Sequence, residues 1–186
     1  MMSRTVSFFK DKVIVITGAS SGIGMASARL FASYGAKLVL AARSMDKLEK
    51  LASELSDDPS RILCVKTDVS VEEDCRNMIE AAAARFGRID ILVNNAGISM
   101  RASFAKVDLS VIRRLMDVNF WGTVYCTKFA LPYLLESNGS VVGVISTAGY
   151  APLPGRTGYV TSKYAVRGFL ETLRMEHLED GLHVMV

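Results

Sequence analysis

The chain has little cysteine and histidine, and this scarcity excludes several classes of protein. Its three cysteines stand far apart, at Cys64, Cys75 and Cys126, without a Cys-x-x-Cys pair. Neither a disulfide framework nor a zinc site is therefore predicted, and we expect small buried thiols in a reducing compartment. The two histidines, His177 and His183, are too few for a His-rich metal site.

Long hydrophobic runs and blocks of one charge are also missing from the sequence. No stretch approaches the roughly 20 apolar residues of a membrane span. Residues 1–12 lack the apolar run and the small-residue cleavage site of a secretory signal, so we expect a cytoplasmic protein. The formal net charge is only +3 and the 22 basic residues are scattered, which gives no indication of nucleic-acid binding.

What the chain does contain is a regular alternation of short apolar runs and longer amphipathic segments. This pattern is typical of an α/β protein with a doubly wound, Rossmann-type fold. We expect a three-layer sandwich, in which a parallel sheet of about six strands carries helices on both faces. The predicted strands are residues 13–16, 37–41, 61–66, 90–93, 140–146 and 182–186, and the predicted helices are residues 23–34, 45–55, 71–86, 110–135 and 158–178.

Two features of this pattern lead to further expectations. Pro132 is predicted to bend or end the last turn of the helix over residues 110–135. The 186 residues suggest one domain over residues 1–186, but the sequence stops at Val186, inside the sixth predicted strand. Because a domain rarely ends in a strand that has just begun, we expect this domain to be incomplete at its C-terminus.

A glycine-rich turn separates the first predicted strand from the first helix. Gly18, Gly22 and Gly24 allow a tight turn in which the backbone approaches a pyrophosphate, and the helix N-terminus adds free N–H groups. The spacing Gly-x-x-x-Gly-x-Gly differs from the common Gly-x-Gly-x-x-Gly fingerprint, so a plain structural turn remains an alternative. The same residues also match Gly-x-Ser-x-Gly around Ser20, the nucleophile elbow of hydrolases, but neither histidine falls on a later loop.

The residues after the second and third predicted strands bear on the choice of dinucleotide. An acid near the end of the second strand would bind the ribose of NAD, but this sequence has Arg43 there. A guanidinium suits the 2′-phosphate of NADP, so NADP is favoured over NAD, unless Arg43 is only a solvated side chain. Asp68 is placed to accept a hydrogen bond from the adenine amino group, or it is simply a turn residue before a helix.

Polar and catalytic residue types follow the later strands. Asn94-Asn95-Ala96-Gly97 leaves the fourth strand, where small residues admit a ribose and the amides can tie loops together. Tyr159 and Lys163 share one face of a helix, and an ammonium beside a phenol favours the phenolate. Tyr159 could then exchange a proton with a carbonyl or alcohol, while Ser146, at the end of the fifth strand, polarises the oxygen. A chance surface pair is the alternative for Tyr159 and Lys163.

Taken together, these motifs resemble the short-chain dehydrogenase/reductase family, in order and spacing, from Lys12 to Val186. The resemblance implies an NADP-dependent oxidoreductase that transfers a hydride between its cofactor and a carbonyl or secondary alcohol. It implies that Asn119 joins Ser146, Tyr159 and Lys163 as a catalytic residue. The implied cofactor-binding residues are Gly18, Ser20, Ser21, Gly22, Ile23, Gly24, Arg43, Asp68, Val69, Asn95, Ala96, Gly97, Tyr159 and Lys163.

The resemblance carries further expectations. Arg43 and Ser20 would share the 2′-phosphate, Lys163 would bond the nicotinamide ribose, and Asn119 would help to hold a water that links the lysine to solvent. Helices 110–135 and 158–178 would pair with a second copy in a homodimer or homotetramer. Family members continue past the sixth strand into a substrate lid and a seventh strand, so a non-catalytic dinucleotide-binding module remains the alternative function. Some motifs look similar to hydroxysteroid-dehydrogenase-like members, which leaves the substrate open.

Overall fold

The computed structural model of the protein describes residues 4–56 and 58–186, and these build a six-stranded parallel sheet flanked by helices. The strands are β1 (Val13–Thr17), β2 (Lys37–Ala42), β3 (Ile62–Lys66), β4 (Ile91–Asn94), β5 (Ser140–Gly143) and β6 (His183–Met185). The helices are α1 (Arg4–Phe9), α2 (Gly22–Ser33), α3 (Met45–Leu55), α4 (Glu72–Phe86), α5 (Leu109–Leu115), α6 (Gly122–Glu136) and α7 (Thr157–Glu176).

The strand order is β3-β2-β1-β4-β5-β6, with β1 paired on one side to β2 and on the other to β4. The chain therefore reverses its direction of travel across the sheet after β3, which creates a switch point between β1 and β4. Ligands of doubly wound proteins bind in the crevice at this point, outside the carboxyl ends of the strands. The predicted α/β, Rossmann-type architecture is confirmed.

Alternating side chains of the strands supply two separate cores, one on each face of the sheet. Val15 and Val39 belong to the core that α4, α6 and α7 cover, while Ile14 and Leu38 belong to the core under α2 and α3. Successive strand residues point to opposite faces, so a strand that is covered on both sides needs a continuous apolar run. Every residue of β1 is buried accordingly.

The predicted single helix over residues 110–135 is wrong in its middle. The chain forms α5, then a π-helical segment at Met116–Trp121, and then α6. A π turn carries one extra residue and is frequent at functional sites. Here it contains Asn119, whose buried side chain bonds to groups outside the helix, and these tertiary contacts favour the wider turn. Pro132 lies inside α6, which continues to Glu136.

The predicted strand over residues 140–146 ends earlier, at Gly143. Val144 still donates its N–H to the carbonyl of Asn94, at 2.9 Å, but its own carbonyl accepts from the Lys163 ammonium, also at 2.9 Å. The backbone then leaves the sheet, and Ser146 caps a short 3-10 helix at Thr147–Gly149. The apolar residues Val144 and Ile145 led to a longer predicted strand, but the Val144 carbonyl bonds to Lys163 instead of to a neighbouring strand.

A buried carboxylate supports the opposite end of the sheet from the crevice. Asp90 is 2% exposed and accepts hydrogen bonds from Lys12 at 2.8 Å, from the Val13 N–H at 2.9 Å, and from the Arg88 guanidinium at 2.6 and 3.0 Å. Burial opposes its ionisation, but the bonds from Arg88 and Lys12 outweigh that cost and hold the pKa of Asp90 below its ordinary value. This cluster ties the segment before β4 to the start of β1.

We expect Asp90→Asn to lower the free energy of unfolding by about 2 kcal/mol at neutral pH, because two cations lose their buried partner. The folded pKa of Asp90 is depressed, so its contribution is present above the unfolded value of about 4 and is lost as pH falls through the folded pKa. Urea unfolding measured from pH 7 downward should therefore show the free energies of unfolding of the wild-type protein and Asp90→Asn converging in acid. Asp46→Asn, which removes an exposed carboxylate, serves as the control. A difference in unfolding free energy between wild type and Asp90→Asn that stays constant with pH would contradict the ionic role of Asp90.

Candidate functional site

A cavity of about 550 Å³ opens at the switch point, along the carboxyl ends of β1 to β5. It runs from the β3 and β2 side of the sheet, across the glycine-rich turn, to the β5 and α7 side. The predicted site residues that line it are Gly18, Ser20, Ser21, Gly22, Ile23, Arg43, Asp68, Val69, Asn95, Ala96, Gly97, Tyr159 and Lys163. Gly24, Asn119 and Ser146 are not among the lining residues.

The three glycines of the turn occupy positions where a side chain is disfavoured, and the reason differs between them. Gly18 and Gly22 adopt φ values of 67° and 54°, in the left-handed region that side chains disfavour. A Cβ on Gly18 would also lie 2.9 Å from the Asn95 amide, whereas one on Gly22 would project into open space. Gly24 packs beneath the turn, where a Cβ would overlap the carbonyl oxygen of Gly18. The turn thus leaves room for a ligand against bare backbone at Gly22.

The N-terminus of α2 faces this space with unused donors. Ser21, the residue before the helix, makes no side-chain cap hydrogen bond, and Ser20 also lines the cavity. The first N–H groups of a helix have no partner within it, and the aligned peptide dipoles make that end partly positive. The arrangement suits the pyrophosphate of a dinucleotide, because backbone, hydroxyls and dipole all favour an anion there.

The Asn94 and Asn95 amides tie neighbouring segments together, as the sequence predicted. Asn95 Nδ2 donates to the carbonyls of Thr17 and Gly18, at 2.9 and 3.2 Å, and Asn94 Nδ2 donates to Thr127 Oγ1 at 2.9 Å. Thr17 Oγ1 in turn accepts from the N–H groups of Asn95 and Ala96, each at 3.0 Å. The glycine-rich turn is therefore fastened to the end of β4, and Thr17 is a positioning residue that the sequence analysis missed.

The wall formed by the residues after β2 is cationic. Arg43 is exposed and lines the cavity together with Ser44 and Lys47. Ser44 precedes α3 without making a side-chain cap bond, so its hydroxyl is free to meet a ligand. Lys47 was missed, although it lies in the first turn of α3, shortly after Arg43 and Ser44. Two cations and a hydroxyl at one end of the cavity suit a phosphate group.

Residues after β3 form the adjoining wall. Asp68 Oδ1 accepts from the Ser70 N–H and hydroxyl, at 3.0 and 2.6 Å, which is the turn geometry of the simpler alternative. Asp68 also lines the cavity beside Val69, which leaves it available to a ligand. Arg114 of α5 reaches across to both side chains, at 3.1 Å from Asp68 and 2.6 Å from Ser70, and the sequence analysis missed it.

Tyr159 and Lys163 lie one turn apart on α7, at the other end of the cavity. Lys163 is 6% exposed, and its Nζ lies 5.9 Å from the centre of the Tyr159 ring and 2.9 Å from the Val144 carbonyl oxygen. Burial lowers the pKa of Lys163. The Tyr159 hydroxyl has no hydrogen-bond partner among residues 4–56 and 58–186. A buried ammonium beside a phenol with a free hydroxyl is a suitable arrangement for proton transfer.

Ser146 follows Val144 and Ile145, two residues that line the cavity. Its Oγ accepts from the Ala148 N–H at 3.2 Å, which leaves the hydroxyl proton free to be donated. Arg167, one turn after Lys163 on α7, contacts the end of the 3-10 helix at Thr147–Gly149. Its guanidinium lies 4.1 Å from the centre of the ring of Tyr150, the residue after that helix. That contact depends on the fold and has no local signature in the sequence.

Asn119 is 1% exposed, and both polar atoms of its amide are hydrogen-bonded. Oδ1 accepts from the Ile98 N–H at 2.8 Å, and Nδ2 donates to the Ile98 carbonyl and to Ser162 Oγ, at 3.0 and 2.9 Å. Ser162 Oγ donates to the carbonyl of Tyr159 at 2.8 Å. The side chain therefore links the π turn to the segment after Gly97 and to α7, in a positioning arrangement.

Other kinds of site find no support in the part of the chain that the structure describes. There, no three His, Cys, Asp or Glu side chains stand close enough to hold a metal ion. No helix within the described ranges has the length and apolar character needed to cross a bilayer. Neither His177 nor His183 lines the cavity, so the described residues offer Ser20 no histidine base for hydrolysis.

Comparisons with known proteins agree with this geometry. A family model described as short chain dehydrogenase matches residues 12–186. An 11-beta-hydroxysteroid dehydrogenase A of Sesamum indicum is 47% identical over 171 residues, which cover 91% of this chain and 49% of that protein. An 11-beta-hydroxysteroid dehydrogenase 1A of Arabidopsis thaliana is 41% identical over 94% of this chain and 50% of its own length. The chain thus spans about half the length of these curated relatives.

Two solved structures superpose closely on the chain. An alcohol dehydrogenase from the archaeon Thermococcus sibiricus, complexed with 5-hydroxy-NADP, gives a TM-score of 0.90 at 32% identity, and covers 94% of this chain and 74% of its own. A short chain dehydrogenase/reductase from Burkholderia phymatum, in complex with NAD, also gives 0.90, at 31% identity, over 95% of this chain and 65% of its own. One neighbour holds an NADP derivative and the other NAD.

Proposed function

Because this chain belongs to the short-chain dehydrogenase/reductase family, we propose that it transfers a hydride between a nicotinamide dinucleotide and a carbonyl or secondary alcohol. One observation carries the proposal: a single cavity joins the phosphate-binding turn at Gly22 to the Tyr159 and Lys163 pair. A dinucleotide has a pyrophosphate at its centre and its reactive ring at one end, so these two features belong at different ends of one site.

We further propose that the cofactor is NADP rather than NAD. Arg43, Ser44 and Lys47 stand at the β2 end of the cavity, where the adenosine ribose would lie if the pyrophosphate occupies the N-terminus of α2. An acidic residue at that position would favour a free ribose hydroxyl, whereas a guanidinium fork favours its phosphate. Ser20 of the glycine-rich turn also lines the cavity and would supply a further donor to this phosphate.

The catalytic roles follow from the chemistry of the side chains. The bound cofactor supplies or accepts the hydride. Tyr159 gives its proton to the carbonyl oxygen during reduction and takes the proton back during oxidation of the alcohol. The Lys163 ammonium stabilises the phenolate that forms, and the Ser146 hydroxyl donates to the same substrate oxygen. Asn119 holds the π turn and α7 in register, so that this constellation keeps its geometry.

The direct test mixes the chain with NADPH and a panel of ketones and aldehydes, and follows the absorbance of the reduced nicotinamide. We expect oxidation of NADPH that depends on both the carbonyl compound and the protein. NADPH binding without turnover over the whole panel would favour the alternative of a non-catalytic dinucleotide-binding module. Ester hydrolysis that Ser20→Ala abolishes would instead support the hydrolase alternative, and we expect none.

We propose that the helical segments over residues 110–135 and 158–178 pair with a second copy of the chain. An apolar groove of about 450 Å³ runs along the outer side of α7, between Phe120, Phe169 and Leu173. Gly168 lies within the groove, and a Cβ added there meets no atom within 4 Å. A bare backbone position beside two aromatic rings lets another helix approach closely, and a two-fold axis would bury both grooves at once.

Gly168→Arg is accordingly expected to convert the assembled protein to monomers without unfolding it, because the long cation would occupy the groove and meet its symmetry mate. Sedimentation velocity measures the association state, and thermal unfolding checks that each variant is folded. Ser53→Arg, which places the same side chain on an exposed position of α3, should leave the association unchanged. A wild-type chain that sediments as a monomer would refute the pairing.

A further inference from the structure

An ion pair between two distant segments stands at the adenosine end of the cavity. Arg114 of α5 donates from Nη1 to Ser70 Oγ, at 2.6 Å, and from Nη2 to Asp68 Oδ2, at 3.1 Å. These partners lie 44 and 46 residues earlier in the chain, in the turn between β3 and α4. Both Arg114 and Asp68 line the cavity, so the pair is part of its wall rather than a remote surface contact.

The bonds of Asp68 leave one of its oxygens partly free. Oδ1 accepts from the Ser70 N–H and from the Ser70 hydroxyl, which uses both of its acceptor positions. Among the described residues, Oδ2 accepts only from Arg114, so one acceptor position remains. Burial opposes ionisation, but the bonds from Ser70 and Arg114 outweigh it and lower the pKa of Asp68, so the carboxylate is charged at neutral pH.

The position of Asp68 indicates which part of a dinucleotide would meet this oxygen. The sheet order places β3 beside β2, whose end carries Arg43, and away from β5 and the catalytic pair. The base attached to the adenosine ribose therefore lies toward the β3 side when the ribose is near Arg43. Adenine presents a 6-amino group that can only donate, and a charged carboxylate oxygen can only accept.

We propose that Arg114 is a positioning residue that sets the specificity of the site for an adenine base, by holding Asp68 Oδ2 where it accepts from the 6-amino group. This inference rests on the proposed dinucleotide function. Ser70 donates to one oxygen of the Asp68 carboxylate and Arg114 donates to the other, which fixes the rotation of the carboxylate about the Cβ–Cγ bond. Without the guanidinium, Oδ2 loses its only described partner, and the carboxylate can turn away from the cavity.

The test compares two ligands that differ at one group of the base. NADPH carries the 6-amino group, whereas its unsubstituted purine analogue carries only a hydrogen at that position and cannot donate to the carboxylate. Fluorescence titration gives the Kd of each ligand for the wild-type protein, and we expect the adenine form to bind about tenfold more tightly, as one hydrogen bond to a charged group warrants. In Arg114→Ala the ratio of the two dissociation constants should fall below about twofold, because the Asp68 carboxylate is no longer held toward the base.

Matched variants separate positioning from general damage. Arg113→Ala removes the neighbouring, exposed arginine of α5 and should keep the wild-type ratio. Arg114→Lys keeps the charge but only one point of contact, so it should give an intermediate ratio. Asp68→Asn should abolish the preference, because its amide can turn a donor toward the base. Thermal unfolding of each variant shows whether it is folded under the titration conditions.

The outcomes are distinct. If Arg114→Ala weakens both ligands equally and the ratio persists, Arg114 only braces the fold and the inference is overturned. A wild-type protein that binds both ligands with equal affinity also overturns it, since no adenine preference exists to be set. A wild-type protein that binds neither ligand refutes the dinucleotide function itself, which is a failure of the earlier proposal rather than of the role of Arg114.

Discussion

Tyr159→Phe is expected to lower kcat/KM for carbonyl reduction about a thousandfold while leaving the Kd for NADPH unchanged. General acid catalysis by a positioned side chain contributes roughly 10²–10⁴ to the rate, and the substitution removes only the hydroxyl group whose proton is transferred. The Phe ring keeps the volume of the Tyr159 side chain, so the position of Lys163, buried beneath the ring, is retained. A loss in turnover without a loss in binding is the signature of an interaction that is made in the transition state.

Steady-state kinetics with a carbonyl compound from the panel measures kcat/KM, and fluorescence titration measures cofactor binding. Tyr164→Phe is the matched control, because Tyr164 lies on the same helix, is 43% exposed and does not line the cavity. We expect the control to keep wild-type activity within about twofold. Should Tyr159→Phe retain more than a tenth of the wild-type value, another group must deliver the proton and the assigned role is wrong.

Arg43→Ala should raise the Kd for NADPH about a hundredfold and leave the Kd for NADH within a factor of about three. Hydrogen bonds to charged groups contribute about 1.5–3 kcal/mol, which corresponds to roughly 10- to 150-fold in binding. The selective effect arises because only NADPH carries the 2′-phosphate that the guanidinium would hold. Lys47 and Ser44 remain in the variant, so part of the affinity for the phosphate persists.

Titration of both cofactors into both proteins gives the four dissociation constants that this test requires. Lys50→Ala removes a nearby exposed cation of α3 that does not line the cavity, and it controls for the change in net charge. An equal rise for NADPH and NADH on removal of Arg43 would show that it is only a surface residue. A tighter affinity for NADH than for NADPH in the wild-type chain would refute the proposed preference for NADP.

Local patterns in the sequence were sufficient to predict the order of the six strands, most of the helices between them and the location of most of the candidate site, whereas α1 was not predicted. The strand over Val13–Thr17 is buried on both faces, and burial on both faces requires the uninterrupted apolar run that was recognised. Helix α3 was predicted with its observed bounds, since its leucines recur at helical spacing and Ser44 precedes it. Glycines between a strand and a helix indicated the turn between β1 and α2 that lines the cavity, because that turn is built from consecutive residues.

Boundaries near the site were harder to predict, because contacts with distant segments determine them. Asn119 bonds to Ile98 and Ser162, at separations of 21 and 43 residues, and these bonds accompany a π turn inside a segment that reads as regular helix. The strand before Ser146 is shorter than predicted, and the Val144 carbonyl just beyond its end accepts from Lys163, 19 residues later in the chain. No window of neighbouring residues contains that information.

By itself, the sequence therefore determined the α/β class, the glycine-rich turn at Gly18 to Gly24 and the presence of Tyr159 and Lys163 on one helix face. These features depend on residues that are close together in the chain, where propensity and spacing operate directly. Only the tertiary structure decided that Thr17 fastens the turn to β4 and that Arg114 grips Asp68 across the cavity. Such pairs meet only after the sheet has formed, because a hydrogen bond requires proximity in space and sequence spacing does not encode it.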